Sequence, residues 1–260
     1  MTVHTAMANA VPSFLDDHVA AGGGARPAVV TAEATTSYAD LLALTCRTGN
    51  ALRGLGLASG QRVALLLPDS LAWAAVFFGA LRIGVVAVPL NTRLAAADWA
   101  AMLADSGARV LVTDATRLRD LAPKLGELPH LAHVIVAGGG DATSLETLQT
   151  RASDTLAVEP VSGEAGAFWL YTSGTTGGPK AAIHAHRDLL ACRHYAIDVL
   201  GATQADRTLA TSKLFFAYAL GNALLIPLFA GACTYLEEHW AEPDAVARAV
   251  TAFRPTLFFS

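Results

Sequence analysis

The sequence predicts an α/β fold, in which layered, mainly parallel sheets are flanked by helices. One observation is that short apolar runs, at 63–67, 85–88 and 109–112, alternate with helical patterns. These runs lack the polar alternation of a half-exposed strand, so we expect strands covered on both faces, as in parallel sheets. The other observation is that 53% of the 260 residues are hydrophobic and 15% are charged, which is enough apolar material for a large core.

The first elements follow from capping and turn residues. A short helix is expected over 12–21, ended by the glycines at 22–24, and a hairpin is expected over 27–36. Ser37 is followed three residues later by Asp40, a capping pair that predicts the start of a longer helix.

From residue 62 onward, expected strands and helices follow one another regularly. The expected strands are 63–67, 85–88, 109–112, 134–136, 167–172, 181–184, 208–210, 234–236 and 256–259. The expected helices are 70–83, 95–106 (ended by Gly107), 118–125, 187–200, 219–229 and 244–253. A glycine run at 138–140 and the polar segment 141–166 indicate a boundary. We therefore predict a first α/β subdomain at 1–165 and the start of a second at 166–260.

Composition excludes some classes of partner and location. The net charge of −4 and the lack of a long basic run argue against nucleic acid. Cys46, Cys192 and Cys233 are widely separated, which suits a reducing compartment, and the first ten residues do not resemble a signal peptide. Two apolar stretches, 71–90 and 214–236, have the length of membrane spans. Glycine and proline interrupt both, so we expect buried helix–strand pairs instead of membrane spans. We therefore expect a cytoplasmic protein that does not associate with a membrane.

A polar loop between two predicted strands is the most informative segment. Residues 171–180 read Tyr-Thr-Ser-Gly-Thr-Thr-Gly-Gly-Pro-Lys, which combines hydroxyls, flexible glycines and one lysine. Such donors can converge on phosphate oxygens. The spacing does not fit the P-loop of common NTPases, because Pro179 precedes Lys180 and Ala181 follows it.

This loop resembles the phosphate-binding signature of the adenylate-forming superfamily, which includes acyl-CoA synthetases. The signature ends in glycine, where this chain has Ala181. The resemblance implies that the loop grips ATP while a carboxylate attacks the α-phosphorus, after which the thiol of CoA displaces AMP. It implies Mg²⁺ near Thr172 or Thr176. It also implies nucleotide binding by Thr172, Ser173, Gly174, Thr175, Thr176, Gly177 and Lys180.

A second segment, 213–222, reads Lys-Leu-Phe-Phe-Ala-Tyr-Ala-Leu-Gly-Asn. Aromatic walls beside small residues are the ingredients of a flat apolar pocket, although aromatic residues at a strand end are also ordinary core. The segment is similar to the acyl-pocket stretch of benzoate-CoA ligases, with Ala219 in place of a glycine. That similarity implies substrate contacts from Phe216, Ala217, Tyr218 and Gly221, and an aromatic carboxylic acid as substrate.

The resemblance also implies that much of the family pattern is missing. The family's catalytic lysine would lie beyond Ser260, so the chain is expected to be an N-terminal part with negligible ligase activity alone. A fatty or other acyl-CoA synthetase fragment and a non-catalytic nucleotide-binding truncation are the alternatives, and an oligomer is compatible with the sequence.

Overall fold

The computed structural model describes residues 9–139, 143–172, 179–240 and 242–260. Within these residues the strands form two sheets. The strands are β1 (Pro27–Val30), β2 (Thr35–Ser37), β3 (Arg62–Leu66), β4 (Val86–Pro89), β5 (Val110–Asp114), β6 (His133–Ala137), β7 (Thr143–Ser144), β8 (Gly166–Thr172), β9 (Lys180–Ala185), β10 (Arg207–Ala210), β11 (Cys233–Tyr235) and β12 (Leu257–Phe259).

The helices connect these strands and cover their faces. They are α1 (Asp16–His18), α2 (Tyr38–Gly54), α3 (Leu71–Arg82), α4 (Ala96–Ser106), α5 (Ala115–Leu121), α6 (Leu145–Arg151), α7 (His186–Arg193), α8 (Ala217–Ala219), α9 (Ile226–Ala230) and α10 (Pro243–Phe253). Short 3₁₀ turns lie at Val11–Ser13 and Ala122–Glu127, and π-helical segments at Val19–Gly23, His194–Val199 and Leu220–Leu225.

The larger sheet has seven strands within the described chain, in the order β7-β6-β5-β3-β4-β8-β9. Its neighbours are parallel except for β8 and β9, which form an antiparallel hairpin. Central strand β3 is buried on both faces, with Val63 and Leu65 in one core and Ala64 and Leu66 in another. This is why its sequence is continuously apolar.

The smaller sheet has five described strands, in the order β12-β10-β11-β1-β2. Strand β1 pairs with β2 as the predicted hairpin, and on its other side it pairs in parallel with β11, where Val29 faces Thr234. The N-terminal hairpin is therefore the edge of a sheet whose other strands come from the end of the chain.

The layers follow from the three apolar cores. Helices α4 and α5 cover one face of the seven-stranded sheet, and α2 and α3 lie against its other face. The core around α2 and α3 also includes residues of β1 and of the segment that follows β10, so these helices lie between the two sheets. Helix α10 packs on the five-stranded sheet through Ala249 and Phe253.

Local signals act where the sequence predicts them. The Ser37 side chain accepts a hydrogen bond from Asp40 N at the start of α2, and Ser70 caps α3 by accepting from Trp73 N. Gly107 ends α4 in the left-handed conformation, at φ 57°.

Helices α2 and α3 approach closely at two glycines. A Cβ at Gly79 would lie 2.9 Å from Thr48 Cβ and 3.0 Å from both Gly49 N and Thr45 O. Close backbone approach of this kind requires the absence of a side chain. The Thr48 hydroxyl donates to Leu44 O at 2.8 Å and accepts from Gln149 Nε2 at 2.9 Å.

Some sequence-based expectations for individual elements were wrong. The polar segment 141–166 contains β7 and α6, whose start Ser144 caps by accepting from Thr147 N. The helices expected at 187–200 and 219–229 pass through π-helical segments. Each sheet contains strands from both sides of residue 165, so the predicted subdomains 1–165 and 166–260, which stay a proposal, do not coincide with the sheets.

The two apolar stretches of membrane length form helix–strand pairs. The first contains α3 and β4, and the second runs from α8 through α9 to β11. None of the helices in the described ranges combines the length and the apolar character that a membrane crossing needs.

Candidate active site

The predicted phosphate loop connects the two strands of the β8–β9 hairpin. Thr172, at the end of β8, pairs with Lys180, the first residue of β9, and the Thr172 hydroxyl donates to Lys180 O at 3.4 Å. Both residues are exposed. Predicted loop residues Ser173, Gly174, Thr175, Thr176 and Gly177 lie outside the described residues.

Tyr171, near the loop end of the hairpin, connects β8 to helix α4. Its hydroxyl donates to Asp105 Oδ2 at 2.6 Å and lies 3.2 Å from Met102 O, both on α4. Burial, together with the neighbouring Asp105 carboxylate, raises the pKa of Tyr171 above its ordinary value. The phenol therefore stays protonated and can act as a hydrogen-bond donor to α4.

The second predicted segment forms an open apolar surface. Phe216 and Tyr218 are 42% and 48% exposed, and Ala217 between them is also exposed. The Tyr218 ring meets Phe259 edge-on, with ring centroids 6.5 Å apart. A Cβ added to Gly221 would meet no atom within 4 Å. Three of the four residues predicted to contact substrate are thus exposed, and the fourth, Gly221, has open space where a side chain would begin.

A π-helical segment follows directly behind this surface. Residues Leu220–Leu225 continue α8 into α9 with wider hydrogen bonding than an α-helix. Such segments occur often at functional sites, because the inserted residue shifts the side chains around it. Asn222 in this segment is buried, and its Oδ1 has no hydrogen-bond partner among the described residues.

Sequence reasoning gave no role to two buried ionisable residues, of which one contacts this segment and the other belongs to it. Asp69 follows β3, is 4% exposed, and accepts from Leu214 N at 3.1 Å (Oδ1) and 3.3 Å (Oδ2). Buried Lys213 donates from Nζ to the carbonyls of Glu237 and His239. A signal was present, because Asp69 closely follows an apolar strand at the carboxyl edge of a parallel sheet, where ligand sites concentrate.

For both Asp69 and Lys213, burial and the charge of the other residue shift the pKa in opposite directions. Burial raises the pKa of Asp69 to about 7, although the Lys213 charge and the Leu214 N–H act in the other direction. Burial lowers the pKa of Lys213, and Asp69 partly restores it. Each charge therefore makes the other's ionised form less costly.

The two histidines that follow the loop make packing and hydrogen-bond contacts within the fold. The His184 ring stacks on Phe168, with centroids 4.5 Å apart. His186 is fully buried, its Nδ1 accepts from Ala10 N at 3.2 Å, and burial lowers its pKa to about 4. Across the part of the chain that the structure describes, no group of three or more His, Cys, Asp or Glu side chains could hold a metal ion.

Comparisons with known proteins show which chains this one is similar to. The chain is 38% identical to a 3-hydroxybenzoate–CoA ligase of Aromatoleum sp. (strain CIB), over 97% of this chain and 49% of that protein. It is 36% identical to a benzoate–CoA ligase of Thauera aromatica, over 96% and 48%. The crystal structure of the anthranilate CoA ligase AuaEII in complex with anthranoyl-AMP superimposes with a TM-score of 0.94 at 32% identity, covering 98% of this chain and 50% of that chain.

These relatives are about twice as long as the matched region, so the chain spans about half the length of the curated relatives it matches. The family described as AMP-binding enzyme matches residues 16–260, which is nearly the whole chain. The chain therefore belongs to the AMP-binding enzyme family.

Proposed function

We propose that this chain is part of an AMP-forming carboxylate–CoA ligase that activates an aromatic acid. The observation that carries the proposal is the pair of exposed aromatic side chains, Phe216 and Tyr218, in a segment that also has open space at Gly221. A planar aryl group can stack on exposed aromatic side chains of this kind. The relatives named above are ligases for hydroxybenzoate, benzoate and anthranilate, which are all aromatic acids.

The reaction proposed has two steps. A carboxylate oxygen of the acid attacks the α-phosphorus of ATP, the bond to the β-phosphate oxygen breaks, and acyl-AMP and pyrophosphate form. The thiolate of CoA then attacks the acyl carbon, and AMP leaves. This chain would contribute Lys180 and the loop residues, whose positive charge and donors oppose the charge of the departing pyrophosphate.

Mg²⁺ belongs to the proposal because magnesium commonly binds through substrate phosphates and few protein oxygens. The exposed Thr172 hydroxyl at the end of β8 is such an oxygen, and Thr176 would be a second. The ion would neutralise phosphate charge. We also propose a cytoplasmic location and a small-molecule acid as the binding partner, with no nucleic-acid or membrane partner. The proposal is compatible with either a monomer or an oligomer.

The proposal predicts that MgATP binding and benzoate binding can be weakened independently by mutation. Benzoate and MgATP are titrated into the purified chain by calorimetry. Lys180→Ala should weaken MgATP binding about tenfold to hundredfold, because it removes a charge-assisted contact, and should leave benzoate binding unchanged. Lys124→Ala is the matched control, since Lys124 is a surface lysine that contacts Glu127.

Gly221→Leu is the converse test. The new side chain would enter the free space and should reduce benzoate affinity at least tenfold, with MgATP affinity preserved and no loss of folding stability. Unchanged benzoate binding in Gly221→Leu would refute the assignment of the aryl site. Unchanged MgATP binding in Lys180→Ala would refute the role of the lysine.

A further inference from the structure

The surface proposed to hold the acid is built on a segment that joins the two sheets. This acyl-pocket segment, residues 213–222, follows β10 of the five-stranded sheet, and its first residues lie against loops of the seven-stranded sheet. Its position is therefore set by both layers. Three contacts hold this segment, and two of them, those with Asp69 and Arg93, come from loops of the seven-stranded sheet.

The first contact is the Asp69 carboxylate. Asp69 lies in the loop between β3 and α3, and both of its oxygens lie within hydrogen-bonding distance of Leu214 N. Leu214 is fully buried, so its N–H cannot turn to water instead. The hydrogen bond consequently fixes the backbone two residues before Phe216.

The second contact is the Lys213 ammonium. It donates to the carbonyls of Glu237 and His239, which follow β11. The Asp69 charge lies close enough to oppose the desolvation of Lys213. One buried residue of the seven-stranded layer thus fixes Leu214 directly and supports the lysine that holds the neighbouring loop.

The third contact is aromatic and independent of charge pairing. The Arg93 guanidinium, in the loop after β4, stacks on the Trp240 ring at 3.6 Å from its centroid. Trp240 in turn packs against Phe215, with ring centroids 6.1 Å apart. The outer side of the segment is held by stacking, whereas its backbone position depends on Asp69.

Resting on the proposed function, we propose that Asp69 is a positioning residue for the acid-binding surface. Asp69 is buried and contacts the segment at Leu214 N, whereas Phe216, Ala217 and Tyr218 are exposed. It fixes the position of the backbone that carries that surface by accepting a hydrogen bond from Leu214 N. Loss of the acceptor leaves a buried donor unpaired and frees the segment to move.

Two variants separate hydrogen bonding from charge. Asp69→Asn keeps an acceptor oxygen of the same size and position, whereas Asp69→Ala removes it. Hydrogen exchange of the Leu214 amide is measured by NMR, and benzoate binding by calorimetry. Asp154→Ala is the control, since Asp154 is an exposed carboxylate paired with Arg47 at 3.1 Å.

Asp69→Ala should speed exchange at Leu214 and weaken benzoate binding, each about tenfold to hundredfold. Asp69→Asn should stay within about threefold of the wild type in both, as should the control. A thermal melt of every variant confirms folding, and Asp69→Asn provides the test if Asp69→Ala unfolds.

The inference is overturned if Asp69→Ala binds benzoate as the wild type does, or if Asp69→Asn loses affinity as far as Asp69→Ala does. A wild-type chain that binds no benzoate would instead overturn the proposed function. The exchange rate of Leu214 would still report in that case whether Asp69 holds the segment.

Discussion

Substitution of Gly79 by alanine tests the packing of the two helices between the sheets. In an exposed helix interior this change stabilises by about 1 kcal/mol. Here the new methyl group would lie 2.9 Å from Thr48 Cβ and 3.0 Å from two backbone atoms of α2. Backbone of a packed helix cannot turn aside, so overpacking should cost about 2 kcal/mol. Displacement of Thr48 also disturbs its buried hydrogen bond from Gln149, which should cost about 1 kcal/mol more.

The expected result for Gly79→Ala is therefore a net loss of about 2 kcal/mol in the free energy of unfolding. Urea unfolding followed by far-ultraviolet circular dichroism measures it as a lower midpoint at unchanged slope. Gly54→Ala is the matched control, because Gly54 is the last residue of α2 and a Cβ there meets no atom within 4 Å. Gly79→Ala as stable as the wild type would refute the close approach of α2 and α3.

Three further predictions concern capping, a partly buried ion pair and pH. Ser70→Ala should lower the free energy of unfolding by about 1 kcal/mol in urea, because Trp73 N loses its capping acceptor. Arg82→Met should cost about 3 kcal/mol in the same assay, since it leaves Asp16, contacted at 2.8 and 2.9 Å, without its partner. Burial lowers the pKa of His186 to about 4, so between pH 4 and 6.5 this ring contributes a rise of stability with pH, whereas Asp69, whose pKa burial raises to about 7, contributes a fall. In urea titrations at several pH values the stability of His186→Gln should rise less, or fall more, with pH than that of the wild type, and an identical profile would contradict the burial of a neutral ring.

The order of elements was accessible from sequence because its signals are local. Ser37 with Asp40, and Gly107, mark helix ends through side-chain caps and a left-handed turn that depend on adjacent residues alone. The continuous apolar runs of β3 and β5 indicate strands that are buried on both faces of the sheet. Helix α6 was overlooked because its composition is polar, although Ser144 caps it like the others.

The arrangement of the elements depends on contacts between distant residues. Nothing near Val29 indicates Thr234 as its neighbour, and nothing near Phe168 indicates pairing with Ala87. Sequence reasoning proposed Phe216 and Tyr218 as substrate contacts, because the segment resembles that of benzoate-CoA ligases. It did not single out Asp69, whose position after β3 was a signal, because the contact of that carboxylate with Leu214 forms only in the folded chain.

The parallel pairing of β1 with β11 has a consequence for the order of assembly. During synthesis the first hairpin leaves the ribosome long before residues 233–235, the partner strand that it needs. Until then one side of β1 is an unsatisfied edge, open to the wrong strand or to another nascent chain. The five-stranded sheet must therefore close late, and slow translation between residues 37 and 233 would lengthen the period in which this edge of β1 is unpaired.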